Sequence, residues 1–81
     1  MNLNIRLFAT LKEIAGASSV QIELDEPATV ADLLKMISIQ YPNMELSLKS
    51  ILVSVNHEYA EREQLLKSNN EVALFPPVSG G

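Results

Sequence analysis

The sequence contains no cysteine, a single histidine and only three glycines. Without cysteine there can be no disulfide staple, no thiolate metal site, no catalytic thiol and no persulfide carried on a side chain. The one histidine, His57, stands between Asn56 and Glu58 in a predicted turn. A metal centre needs three or four ligands at recognisable spacing, so His57 reads as a solvated turn residue and no metal ligand is assigned. The glycines are Gly16, Gly80 and Gly81. That distribution leaves neither a phosphate-cradling loop nor a dinucleotide-binding glycine pattern.

Basic residues are scarce as well. Six Lys and Arg against ten Asp and Glu give a net charge of -4, with no run of either sign. This argues against nucleic acid and against an anionic lipid surface, and points to a protein or a cationic groove as partner. No apolar run is long enough for a membrane span, and Met1 leads straight into an alternating stretch that holds Arg6 rather than into a signal peptide. A cytoplasmic location is expected. The carboxylates Glu61 and Glu63 flank Arg62, but nothing suggests the burial that general acid-base work requires, so the three read as a solvated face.

At 81 residues the chain has room for one domain and one small core, with no staple to support it. Leu3, Ile5 and Leu7 alternate with polar residues and predict a strand. Leu11–Ala15 makes a helical turn closed by a left-handed Gly16. Val20, Ile22 and Leu24 predict a second strand, hairpin-paired with the first. Thr29 and Asp32 form a capping box for a helix whose apolar face is Val30, Leu33, Leu34 and Ile37, stopped at Tyr41-Pro42. Positions 43–50 show no period and read as a loop. Ile51, Val53 and Val55 predict a third strand, Asn56-His57-Glu58 a turn, and Tyr59-Ala60 a short fourth strand. Lys67–Asn70 is a second turn, its asparagines suited to positive φ. Val72 and Leu74 lie on the inner face of a last strand, with Ala73 and Phe75 outward. The expected fold is α+β, a single mixed sheet with one main helix across one face. If the last strand lies beside the first, that is the β-grasp of ubiquitin-like proteins.

The carboxyl end has its own logic. Pro76 and Pro77 remove two backbone donors, so Val78, Ser79, Gly80 and Gly81 cannot rejoin the sheet and form a projecting tail. A polyproline stem at about 3.1 Å per residue carries Gly81 on the order of 15 to 20 Å beyond Phe75. Gly80 and Gly81 have no β-carbon, so the end can thread a channel too narrow for a side chain and bring its carboxylate to a buried reaction centre. Phe8 and Phe75 fall on the outward faces of their strands, with Leu52 and Tyr59 as further members of one docking patch around the root of the tail.

Glu71-Val72-Ala73-Leu74-Phe75-Pro76-Pro77-Val78-Ser79-Gly80-Gly81 closely resembles the carboxyl terminus of the sulfur-carrier (small) subunits of molybdopterin synthase, in the MoaD/ThiS-like family. Leu7-Phe8-Ala9, Leu11-Lys12-Glu13, Thr29-Val30 and Val55-Asn56 extend the resemblance over most of the chain. Ser68-Asn69-Asn70 departs from the family's Asp-Gly-Asp turn, and Asn69 is expected to replace its glycine.

The resemblance implies a cycle. A ubiquitin-activator-like adenylyltransferase would use ATP to adenylate Gly81, and a sulfur-donor protein would supply the sulfur that makes it a thiocarboxylate. That end, with Gly80 behind it, would enter the large subunit of the synthase, as a heterotetramer, and give sulfur to cyclic pyranopterin monophosphate. Phe8, Tyr59, Phe75, Pro76, Pro77, Val78 and Ser79 would bind the partner. The chain itself would hold no cofactor and act as the sulfur-donating half of an enzyme. The alternatives are a carrier for thiazole synthesis or tRNA thiolation, a ubiquitin-like protein modifier, and an interaction module with an inert tail.

Overall fold

Alternation of Leu3, Ile5 and Leu7 with polar residues produces strand β1, Asn2–Leu7, in which every second side chain is buried. The computed structural model describes residues 1–77. The tail positions Val78, Ser79, Gly80 and Gly81 lie outside the described residues. Helix α1, Thr10–Ala15, follows β1 and ends at Gly16, whose φ of 73° lets its N–H reach the Lys12 carbonyl. Strand β2, Ser19–Glu23, then returns antiparallel to β1, as the hairpin reading expects.

Helix α2, Val30–Gln40, starts at the predicted capping box. The Asp32 amide donates to Thr29 Oγ1 at 3.2 Å, and the Thr29 amide donates to Asp32 Oδ2 at 2.9 Å. The two amides ahead of Asp32 find partners in a distant segment: Val30 N–H donates to the Gln64 carbonyl and Ala31 N–H to that of Arg62, both at 3.0 Å. The helix start is therefore fully satisfied and the connection 61–66 is fastened against it. Arg62 is half-buried and its Nη2 donates to the Ile51 carbonyl at 3.1 Å. It is a structural tie rather than part of a solvated face, whereas Glu61 and Glu63 are exposed as expected.

The segment read as a loop after α2 is helical. Pro42–Met44 forms a 3-10 turn and Glu45–Leu48 the short helix α3. Met44 and Leu48, four residues apart, both enter the core. Two apolar anchors on so short a piece give no visible period, which is why the sequence reads as irregular.

Strands β3, Leu52–Val55, β4, Glu58–Tyr59, and β5, Val72–Phe75, complete one sheet in the order β2-β1-β5-β3-β4. The short fourth strand begins one residue earlier than expected, with Glu58 in the ladder opposite Val55. β5 lies between β1 and β3, parallel to the first and antiparallel to the second. Helix α2 packs on the face carrying Ile5, Ile22, Val53 and Leu74, and these residues join Leu33 and Ile37 in a single core. A hairpin, a helix across one face and a last strand inserted parallel to the first make this a β-grasp.

Positive φ does not occur at Asn69 or Asn70. The left-handed non-glycine residues among those described are Ala9, Asn56 and His57. The Lys67–Asn70 turn is held instead by a side chain: Asn70 Oδ1 accepts from Lys67 N–H at 2.7 Å while Asn70 N–H donates to the Lys67 carbonyl at 3.0 Å. An asparagine that closes the turn in this way needs no left-handed backbone. No helix among the described residues is long and apolar enough to cross a membrane.

Candidate functional site

The face of the sheet opposite α2 is uncovered, and its rows follow from the register. Ala73 lies between Arg6 and Ser54, and Ser54 pairs with Tyr59. Phe75 pairs with Leu52, and the step from Leu7 opposite Leu74 sets Phe8 abreast of Phe75. The two rings stack with centroids 4.6 Å apart and planes 11° from parallel. The Arg6 guanidinium lies over Phe8, 5.3 Å from its centroid.

Phe8 and Phe75 are each half-buried, and neither belongs to the buried core. Leu52 is 40% and Tyr59 78% exposed. With Phe8, these residues form an apolar band across β1, β5, β3 and β4, and Tyr59 and Phe75 share a cleft with Ser54 and His57. The outward positions expected from the sequence are thus brought together. Beyond the band Pro76 is half-buried and Pro77 exposed, so the chain leaves the sheet beside the stacked rings.

The edge of this face is set by the turn from β3 to β4. Asn56 and His57 take φ values of 52° and 69°, the successive left-handed pair that a tight hairpin requires. Asn56 also ties β3 to β5, since its N–H donates to the Glu71 carbonyl and its Oδ1 accepts from Glu71 N–H, both at 2.8 Å. His57 is exposed in its turn, as read from the sequence, and its Nε2 lies 2.9 Å from Glu71 Oε2. That pairing depends on β5 lying next to β3 and had no signal in the sequence. Arg6 and Lys12, which line one cleft beside Phe8, were not singled out by sequence reasoning either. Their proximity arises from α1 turning back at the end of β1.

Chemically the described face can bind but has little with which to catalyse. No group of three or more His, Cys, Asp or Glu that could hold a metal ion is gathered among the described residues. The exposed His57–Glu71 pair sits over solvent and not in a pocket that could exclude it.

A five-stranded β-grasp with an aromatic open face at the root of its carboxyl segment defines a ubiquitin-like domain. Residues 5–81 match the ThiS family, and the chain belongs to that family. The molybdopterin synthase sulfur carrier subunit of Dictyostelium discoideum is 41% identical over 80 residues, covering 95% of this chain and 93% of that protein. Small archaeal modifier protein 1 of Haloferax volcanii is 37% identical over 84 residues, covering 94% of this chain and 97% of that protein. The crystal structure of SAMP1 from Haloferax volcanii superposes with a TM-score of 0.89 at 35% identity, over 100% of both chains.

Proposed function

We propose that this chain is a sulfur carrier for molybdopterin synthesis, acting in the cytoplasm through the carboxylate of Gly81. One observation supports the reading above the rest: β5 lies mid-sheet and parallel to β1, so that Pro76 and Pro77 leave the sheet beside Phe8 and Phe75. A partner that docks on the rings receives the segment at a fixed starting point. Docking and delivery are then one event, and the entropy of positioning the reacting end is lost on binding rather than at the chemical step.

The carboxylate is a poor electrophile and has to be activated. Its oxygen attacks the α-phosphorus of ATP on an adenylyltransferase, pyrophosphate leaves, and Gly81 becomes an acyl-adenylate. A persulfide on a donor protein then attacks the acyl carbon and displaces AMP to give an acyl disulfide. A second thiol of the donor cleaves its S–S bond, releasing the Gly81 thiocarboxylate and leaving a disulfide on the donor. In the large subunit of the synthase that sulfur passes to cyclic pyranopterin monophosphate, and water cleaves the acyl–sulfur bond, supplying the oxygen that regenerates the Gly81 carboxylate. A cysteine-free chain can carry transferable sulfur only on such a group. The large subunit supplies the acid-base groups and the pterin pocket. This chain supplies the nucleophile and its placement, and is not catalytic alone.

The test is deletion of Gly81 in the native host. Loss of molybdenum cofactor with the rest of the domain folded supports the reading, and unimpaired cofactor synthesis rejects it. A second reading is favoured by the identity to small archaeal modifier protein 1: a modifier joined through Gly81 to lysines of other proteins. Isopeptide-linked adducts of the wild-type chain, with cofactor synthesis intact after Gly81 is deleted, would select the modifier.

A further inference from the structure

On the β2 side of the stacked rings lies a cleft of about 360 Å³ whose lining includes Asn4, Arg6, Phe8, Lys12, Ser18 and Ser19. Its lining among the described residues holds two of the chain's six basic residues and no carboxylate. On the open face Arg6 is flanked by Ser19 of β2 and Ala73 of β5. Both neighbours are small, so the guanidinium is left uncovered except where it lies over Phe8. Lys12 comes from α1 and is exposed.

Ten carboxylates are available to neutralise these charges. Among the described residues Glu71 is the one that shares a neighbouring cleft with Arg6, and its Oε2 lies 2.9 Å from His57 Nε2 rather than on the guanidinium. Neither Arg6 nor Lys12 makes a salt bridge among the described residues. Two cations without an ion-pair partner among the described residues, next to an aromatic docking face on an acidic domain, are a feature that a partner can complete.

We infer that Arg6 and Lys12 form a cationic corner that receives an acidic side chain, Asp or Glu, of the protein on which Phe8 and Phe75 dock. The inference rests on the proposed carrier reading, which supplies the docking partner, and adds the chemistry of one part of its surface. The argument for an acidic occupant is charge complementarity together with continuity: Phe8 belongs both to the apolar band and to the cleft. A carboxylate seated there would accept from the Arg6 fork at the rim of a partly dehydrated contact, where a charge-assisted bond is stronger than in open water.

The corner selects orientation. A domain of net charge -4 is drawn toward a basic surface from many directions. An acid placed within that basic surface meets its complement only when the β2 side of the rings faces it, and a rotated encounter sets Arg6 and Lys12 against like charge. Misplaced like charges disfavour the wrong register, so the corner fixes which way round the carboxyl segment enters.

The experiment measures association of the full chain with the purified molybdopterin synthase large subunit of the same organism, at low and at moderate salt. Arg6→Gln, Lys12→Gln and the double variant Arg6→Glu/Lys12→Glu are compared with Lys35→Glu. Lys35 lies on α2, lining a separate cleft with Asp32, and is the off-face control. The inference predicts that the double reversal weakens binding on the order of tenfold or more, mainly through a slower on-rate. Each neutral variant falls between, and Lys35→Glu stays at the wild-type level. Equal affinity and equal salt dependence for the wild type and the double reversal would overturn the corner and leave the carrier reading standing. A wild-type chain that does not bind the large subunit at all would overturn the carrier reading, and the corner with it.

Discussion

The rings of Phe8 and Phe75 lie face to face, 4.6 Å between centroids, on the side of the sheet that helix α2 leaves open. They come from opposite ends of the chain and meet because β5 inserts parallel to β1. An aromatic pair of this kind contributes about 0.5 to 1.5 kcal/mol beyond its buried area. Neither ring is part of the core. Folding needs them little, and a partner could use them a good deal.

Phe75→Ala should therefore separate binding from stability. Denaturant melts are expected to show a loss of about 1 kcal/mol, the order of one stacked pair. Affinity for the large subunit should fall by about 2 kcal/mol or more, as for a central aromatic anchor. A variant that unfolds as readily as a core truncation but binds normally would contradict this placement.

Leu74→Ala is the matching core change. Leu74 is 0% exposed, one residue from Phe75 and on the other face of the same strand. A cavity there should cost about 2 to 5 kcal/mol, read from chemical denaturation. In a chain of 81 residues that is a large share of the total stability. Equal losses for positions 74 and 75 would mean that β5 does not have the two faces described.

Thr29→Ala should lower stability by about 1 kcal/mol, because it removes the oxygen that accepts from the Asp32 amide at 3.2 Å. Val30 and Ala31 N–H keep their carbonyl partners in the 61–66 segment, so the helix should shorten little. Circular dichroism with retained helical signal and a lowered midpoint would agree. Unchanged stability would show that the capping box is redundant with the 61–66 connection.

Gly16→Ala tests conformation alone. Gly16 has a φ of +73°, and an added β-carbon would meet nothing within 4 Å. The expected cost is about 1 to 2 kcal/mol from the left-handed backbone, with no packing component. Gly16→Asn should recover part of it, since asparagine tolerates that region better. A fully stable alanine variant would contradict the cap geometry.

Legibility in the sequence followed the length scale of each signal. Strands β1 and β2 and helix α2 announce themselves because their burial patterns repeat over several residues, and the Thr29–Asp32 box marks the helix start locally. The outward aromatics Phe8 and Phe75 were readable from strand phase, and Tyr59 from its place in the short fourth strand. Helix α3 was not, since Met44 and Leu48 are too few to show a period. The role of Arg62, the tie between Asn56 and Glu71, and the cleft joining Arg6 to Lys12 depend on which segments become neighbours. No local pattern encodes that. The turn at Asn70 was misread because a side chain that caps a turn and a backbone that turns left-handed call for the same residue type.

The central claim is that sulfur is carried at Gly81, and the missing cysteine makes it directly measurable. The chain is purified from its own cells, treated or not with a thiol alkylating reagent, and analysed intact and by fragmentation. The account predicts a species heavier by the exchange of one oxygen for sulfur, localised to Gly81 and lost on alkylation. Methionine oxidation adds a similar mass but maps to Met1, Met36 or Met44 and does not react with the reagent. A chain whose Gly81 carries only an unmodified carboxylate in cells actively making molybdenum cofactor, with no alkylatable species at any stage of growth, would contradict it.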